Sequence, residues 1–385
     1  MPVGIYIHLP YCVTKCPYCD FNSYGTEGTF PEKEYTNALL KEIELYGDFL
    51  KNSKIDTIFF GGGTPSLFSS NSIENIISKI SLYSTVSEDV EISLELNPKT
   101  ADEHKLSELK RIGVNRLSVG VQSFIERKLD FYGRINKPAD SENVLNWIKD
   151  LGFANFNIDL IYGSSDETLS ELKYDLKKAL EFGSSHISAY CLTIEDGTEF
   201  GRLFKAGRLK IPSDKKLNQF MDYTSTFLEA NGYKNYEISN FSKPDFECRH
   251  NLIYWRSKDY LGFGAGAHSH INSNDEYPWG VRWFNYRSPS QYISLNEIYK
   301  SVVCRRSILS KLESLEDKIL MGMRLKEGVL LEDLQNRYDF DFDKNKIGYL
   351  IKDEFIMEDE HRLILTKKGR TFTNEIIVRL LDAFV

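Results

Sequence analysis

The apolar positions in the first half of the chain switch between two periods. Short apolar or alternating runs at residues 4–9, 55–60, 91–96, 116–121, 156–162 and 186–192 read as strands. The segments between them carry helical spacing; Ile73, Ile76, Ile77 and Ile80 follow i, i+3, i+4, i+7. Helices are expected at about 31–50, around 73–80, and at about 105–112, 140–151 and 169–182, the last three stopped by Gly113, Gly152 and Gly183. Thr29 and Glu32 stand at capping-box spacing before the first helix, with Pro31 in its first turn. Strands separated by single helices imply right-handed βαβ units and a parallel sheet. Six units predict an α/β partial barrel whose functional face lies at the strand C-termini.

After about residue 205 the rhythm changes. A long helix is expected at about 213–230, stopped by Gly232, then a strand at 233–239 and an aromatic, glycine-rich stretch at 248–283. From about 310, short amphipathic helices precede a hairpin built on 355–357 and 363–365, with a turn at 358–362, and a last helix at about 367–381. That order predicts a small, mostly helical, winged-helix-like unit. The chain thus divides into a core at 1–205, an extension at 206–305 and a C-terminal unit at 306–385. Glu327, Glu332, Asp333, Asp339, Asp341 and Asp343 make that last unit acidic, which favours packing or partner contact over DNA binding.

Composition narrows the class. The 385 residues include 24 Phe, 22 Tyr and 4 Trp, enough for a sizeable core plus a smaller one. A formal charge of -8 argues against nucleic acid as the main partner. Six cysteines, three of them scattered at Cys191, Cys248 and Cys304, do not form a disulfide framework. No apolar run reaches the ~18 residues of a membrane span, and the chain enters a strand with no charged, apolar leader. A reducing cytoplasm is the expected location.

The chemistry concentrates after the first strand. Cys12, Cys16 and Cys19 are spaced Cys-x3-Cys-x2-Cys on a loop broken by Pro10 and Pro17, so the thiolates can converge. Three soft thiolates suit zinc or an iron–sulfur cluster, and a zinc site would need a fourth ligand such as His8 or a distant His. A cubane held by three cysteines leaves one iron open, which can chelate the amino and carboxylate groups of S-adenosylmethionine (SAM). Gly61-Gly62-Gly63-Thr64-Pro65 after the second strand is a turn that brings backbone close to a ligand or is simply tight. Glu95, Gln122, Arg134 and Asp159 are polar groups at or near strand ends, expensive there unless paired or liganded. The structural alternative is an ion pair such as Glu95 with Arg134. Further on, Arg249-His250-Asn251-Leu252-Ile253-Tyr254-Trp255 places a histidine among aromatics, either a haem iron ligand or a hydrogen-bonded core residue. His268, His270 and Cys248 are weaker ligand candidates.

Tyr6, the three-cysteine loop, GGGTP, Glu95-Leu96-Asn97-Pro98, Gly120-Val121-Gln122-Ser123 and Asp159-Leu160-Ile161-Tyr162-Gly163 together resemble the radical SAM family. Within it the chain is similar to the branch of oxygen-independent coproporphyrinogen III oxidases and their relatives. The oxidases carry a further Cys two positions after the third cluster Cys, where this chain has Phe21, and they carry an N-terminal extension. The His250-Asn251-x-x-Tyr254-Trp255 motif is similar to that of HemW-type haem chaperones. The resemblance implies a partial (βα)6 barrel of the radical SAM type with a [4Fe–4S] cluster on Cys12, Cys16 and Cys19. It implies SAM contacts from Tyr6, Gly62, Gly63, Thr64, Glu95, Gln122, Arg134 and Asp159, with His250 as haem ligand. It further implies haem as cargo, a membrane-bound or cytoplasmic haem-acceptor protein as partner, and no coproporphyrinogen oxidation. Where the family continues Leu-Pro after Asp159-Leu160-Ile161-Tyr162-Gly163, this chain has Ser164-Ser165, which leaves the shape of that loop open.

Overall fold

The computed structural model describes residues 2–298, 300–359 and 361–382. The expected strands form as β1 (Pro2–Leu9), β2 (Lys54–Gly62), β3 (Thr85–Leu96), β4 (Arg116–Gln122), β5 (Asn155–Tyr162) and β6 (His186–Cys191). They are parallel in chain order. Six further strands complete the large sheet: β7 (Lys234–Asn235), β8 (Asn240–Ser242), β9 (Tyr260–Phe263), β10 (His268–Ile271), β11 (Val281–Asn285) and β12 (Val303–Ile308). The order across the sheet is β12-β11-β10-β9-β1-β2-β3-β4-β5-β6-β8-β7. All six expected parallel strands form, and a seventh, β9, lies parallel beside β1. Tyr260–Phe263 is too short, and too close to glycines, to announce itself by periodicity.

Period-two alternation decides which face does what. Val3, Ile5, Ile7 and Leu9 of β1 are buried against the helices, as are Leu94 and Leu96 of β3, Leu117, Val119 and Val121 of β4, and Ile158 and Leu160 of β5. Burying each such side chain contributes roughly 1.5–3 kcal/mol. The alternate residues are largely polar, among them Tyr6, His8, Glu95, Arg116, Ser118, Asn157, Asp159, His186 and Ser188, and they line the concave side. One core runs from Val3 to Val302, so the strands of the extension belong to it.

Local expectations hold with exceptions. The first helix is two helices, Glu32–Leu45 and Gly47–Lys51, and no capping box forms at Thr29. Pro31 is the N-cap residue, and the Glu32 carboxylate instead accepts from Ser69 N–H and from the Ser69 and Ser72 hydroxyls, tying two helices together. The 233–239 strand shrinks to Lys234–Asn235, whose partner β8 runs antiparallel to β6. Residues 311–382 build a separate core around Leu315, Ile319, Leu334, Leu350 and Ile377. There three helices, Lys311–Gly322, Leu331–Tyr338 and Lys344–Lys352, precede the hairpin Ile356–Asp359 with Arg362–Leu365. Val329–Leu330 joins that hairpin as a third strand. Part of the expected 358–362 turn, Glu360, lies outside the described residues. The final helix is interrupted, as Lys367–Arg370 and Thr373–Asp382. All six cysteines are free thiols, and among the described residues no helix is long and apolar enough to cross a membrane.

Candidate functional site

The cysteine loop leaves β1 at Leu9 and is held by backbone bonds. Tyr24 N–H donates to Pro10 O, Thr26 N–H to Cys12 O and Cys19 N–H to Cys16 O. The Tyr11 ring anchors the loop, stacked on Phe30 at 4.7 Å and edge-on to Tyr35 at 5.5 Å. The glycine run docks against this loop. Gly63 N–H donates to Leu9 O and Thr64 N–H to Tyr11 O, both at 2.8 Å. A Cβ on Gly63 would stand 2.7 Å from the Pro10–Tyr11 backbone, and Gly62 adopts φ +117°. The close approach anticipated for a ligand is thus first an approach to the chain itself, and these amides are already used.

Cys12, Cys16 and Cys19, all half-buried, line a cavity of about 400 Å³ with Gly62, Gly63, Thr64, Glu95, Gln122, Arg134 and Asp159. Tyr6 and His250 lie outside it, in an adjoining cleft. Arg134 does not pair with Glu95. Its guanidinium donates to Gly120 O at 2.7 Å and to Asn136 Oδ1 at 3.2 Å, and lies 3.7 Å from the Cys16 sulfur. Burial pushes the thiols of Cys12 and Cys19 up from their ordinary range. Among the described residues, no three His, Cys, Asp or Glu side chains are gathered tightly enough to hold a single metal ion.

Two observations test whether the residues fit a cluster-bound SAM. The donor set is three half-buried thiols facing one cavity, which suits a polynuclear centre whose thiolates bind different irons. The buried Gln122 Oε1 has no hydrogen-bond partner, and Gln122 sits at φ +68°, a strained conformation for a residue with a side chain. An acceptor held unpaired at that cost suits a donor on a ligand. The residues fit.

Glu95 and Asp159 share the cavity wall. Burial raises the Glu95 carboxyl to about 7, with the Asp159 charge adding to the rise and the Gly62 N–H, 3.2 Å away, opposing it. Burial likewise raises Asp159, whose carboxylate accepts from Ser118 Oγ at 3.2 Å and Asn157 Nδ2 at 2.7 Å. The buried Arg116 charge opposes the rise at both groups but does not outweigh desolvation, so the two carboxylates hold a proton more tightly than in the unfolded chain. The ligand-free protein is therefore expected to lose stability as pH rises from about 4.5 through 7, by on the order of 3 kcal/mol from Glu95. Urea midpoints at pH 5 and pH 8 check this: Glu95→Gln flattens the profile, and an unchanged profile would contradict it.

Sequence reasoning missed the scaffold behind the cavity. Lys128, fully buried, donates to Glu167 at 2.6 Å and Asp175 at 2.8 Å. Asp175 also accepts from Ser123 Oγ and Phe124 N–H, fixing the turn after Gln122. Glu167 accepts from Gly163 N–H and Ser164 N–H, so the loop left open by Ser164-Ser165 closes around this carboxylate. Lys128 stands on the helix Glu126–Phe131, which no periodicity reveals.

The adjoining cleft measures about 1720 Å³ and lies between the concave sheet face and the C-terminal unit. It shares Phe21, Gly62, Glu95, Ser118, Asp159 and Tyr190 with the cysteine cavity. His250 starts in the helix Arg249–Trp255, whose first amides, Arg249 and His250, donate to Glu91 on β3. Its ring is fully buried, stacked on Phe59 at 5.1 Å. Nδ1 bonds Thr57 Oγ1 and Nε2 bonds Tyr254 Oη, each at 2.7 Å. Burial, with the Arg116 charge, lowers it to about 3, so it is neutral at pH 7. In the ligand-free structure the ring thus rests in a fully hydrogen-bonded core position. A haem iron at His250 would take the place of the Tyr254 hydroxyl on Nε2, with Nδ1 kept on Thr57.

The Radical SAM superfamily model matches residues 6–179, and the HemN C-terminal domain model matches residues 309–372. The heme chaperone HemW of Haemophilus influenzae is 34% identical over 384 residues, covering 98% of this chain and 97% of that protein. HemW of Escherichia coli is 39% identical over 274 residues, 71% of each chain. HemW of Bacillus subtilis is 34% identical over 96% of this chain and 97% of its own. Among solved structures, coproporphyrinogen III oxidase (HemN) from Escherichia coli superposes with a TM-score of 0.85 at 23% identity, covering 100% of this chain and 91% of that one. That likeness establishes the fold.

Proposed function

Because the chain belongs to the radical SAM superfamily and, within it, to the HemW family, we propose that it is a haem chaperone. It carries a [4Fe–4S] cluster and SAM, takes up haem and delivers it to an acceptor protein, acting in the cytoplasm. Family membership implies the cluster and SAM. Cys12, Cys16 and Cys19 hold the cluster; Gly62, Gly63, Thr64, Glu95, Gln122, Arg134 and Asp159 surround SAM, with Tyr6 one strand away. When bound, the cluster supplies an iron open to the amino and carboxylate groups of SAM. The chain's own part is to bind and orient. Glu95 and Asp159 offer negative charge to cationic groups, Gln122 an unpaired acceptor, and Arg134 a fixed positive charge beside Cys16.

The observation that carries the reading is the cleft. Its volume exceeds the 300–1,000 Å³ or so of ordinary small-molecule sites and suits a porphyrin. Aromatic Tyr254, Trp255 and Phe372 and cationic Arg287, Arg324 and Arg370 line it, matching a flat apolar ring with carboxylate arms. Phe21, at the oxidase's extra cysteine position, is 64% exposed and lines both spaces, an apolar surface where the oxidases carry a thiol.

The test titrates anaerobically reconstituted protein with hemin and then adds an apo haem acceptor. A shifted Soret band at one haem per chain, lost on transfer, is expected. In parallel, coproporphyrinogen III with SAM and reductant should give no protoporphyrinogen. Absence of a Soret shift, or robust decarboxylation, would overturn the proposal.

A further inference from the structure

Of the charged side chains that line the cleft, Arg116 alone makes no hydrogen bond or ion pair among the described residues. Glu95, Asp159 and Glu237 accept from amides or side chains. Arg282, Arg287, Arg324 and Arg370 each donate to an oxygen. Asp317 and Glu375 accept from arginines. Arg116 opens β4 on the face that alternation turns to the concave side. It is 2% exposed, and its Nε has no partner.

The acids around this guanidinium are committed elsewhere. Glu91 on β3 accepts from the Arg249 and His250 amides, each at 3.1 Å. Asp159 accepts from Ser118 and Asn157, and Glu95 from the Gly62 amide. All three reach Arg116 only through space. Its neighbours feel its charge in turn: after burial, it is what lowers the basicity of His186 and His250. A buried charge with neither counter-ion nor hydrogen bond is expensive unless a ligand completes it.

The chemistry of that ligand follows from the fork and from its surroundings. A guanidinium stays charged at any working pH and offers paired N–H donors in one plane, which match the two oxygens of a carboxylate. The acids nearby limit the charge it can take. With Glu91 and Asp159 close, a phosphate dianion would meet more repulsion than one guanidinium offsets, whereas a monoanion matches it. Arg116 lines the large cleft and not the cysteine cavity, so it stands apart from the residues assigned to SAM.

We propose that Arg116 is the base of a carboxylate-binding subsite on the concave face. The carboxylate is either a free small acid or an arm of the cleft's large ligand; the second source rests on the haem-chaperone reading above, and the first does not. Cluster-reconstituted wild type and Arg116→Gln are melted in rising sodium propionate at constant ionic strength, with propionamide as the neutral control. Both are also titrated with hemin and with hemin dimethyl ester. At least one response is expected to depend on Arg116. A saturable rise in Tm with propionate in wild type alone marks a free acid. Hemin binding weakened about tenfold or more by Arg116→Gln, with ester binding unchanged, marks an arm. Identical responses of the two proteins, or equal weakening of hemin and ester without a propionate response, overturn the subsite. If wild type binds no hemin, the chaperone reading falls and the propionate melts alone decide the subsite. Should Arg116→Gln fail to fold, Arg116→Met, which replaces the unpaired cation by an apolar chain of similar length, is read by the same criteria.

Discussion

Replacing Cys12, Cys16 and Cys19 together by alanine is expected to remove all bound iron and leave the fold standing. Iron should fall from about four per chain to none, with loss of acid-labile sulfide and of the cluster's visible absorbance. The fold survives because the thiols hold little of it. Cys16 meets Arg134 and Cys19 meets Ser23, each at 3.7 Å, and all three are half-buried. The loop is positioned by the Leu9, Pro10, Tyr11 and Cys12 carbonyls and by the Tyr11 ring, none of which the substitutions touch. Stability of the metal-free protein should therefore shift by less than about 1 kcal/mol, measured in urea. Cys191→Ala and Cys304→Ala should keep full iron. Iron retained by the triple variant would exclude these three residues as the ligands.

The largest expected change in stability comes from a residue that touches no cofactor. Lys128→Met leaves Glu167 and Asp175 buried without their cation, and losing one partner of such a buried cluster costs about 3–5 kcal/mol. That is a large share of the roughly 5–15 kcal/mol by which a domain is stable. Desolvation argues against buried charge in general, but here each carboxylate also accepts backbone amides, so the cluster is satisfied only as a unit. The amides it holds follow Gln122 and Tyr162, so SAM affinity should fall even where the protein remains folded. Chemical denaturation measures the first effect and equilibrium binding the second. A loss below about 1 kcal/mol would refute the account. Adding Glu167→Gln to Lys128→Met should recover part of the loss, since one stranded charge is gone.

The legible features share a cause. The six strands, the helices stopped at Gly113, Gly152 and Gly183, and the small C-terminal unit all follow from patterns read over a few residues. The cysteine loop and the polar strand ends were visible in the same way, and the structure gathers them into one cavity. What stayed hidden depends on partners far apart in the chain. Thr29 and Glu32 had capping-box spacing, yet Glu32 found Ser69 and Ser72 across a helix pair. The His250 motif was visible, but its bonds to Thr57 and Tyr254 and the seat of its helix on Glu91 were not.

By itself the sequence determined the α/β class, the three-cysteine loop at the end of the first strand and the period-two division of each strand into a helix-facing and a concave face. Those are properties of spacing, and spacing survives without knowledge of neighbours. Only the tertiary structure decided how each histidine is held. A ring nitrogen's availability depends on what else lies within about 3 Å of it, which no local pattern records. It also decided that β9, some 250 residues downstream, completes the sheet beside β1 and carries the chain into His268 and His270. Both strands that flank β1 were needed to build the cleft, and parallel neighbours so distant in sequence are selected by packing of the whole sheet rather than by any one segment.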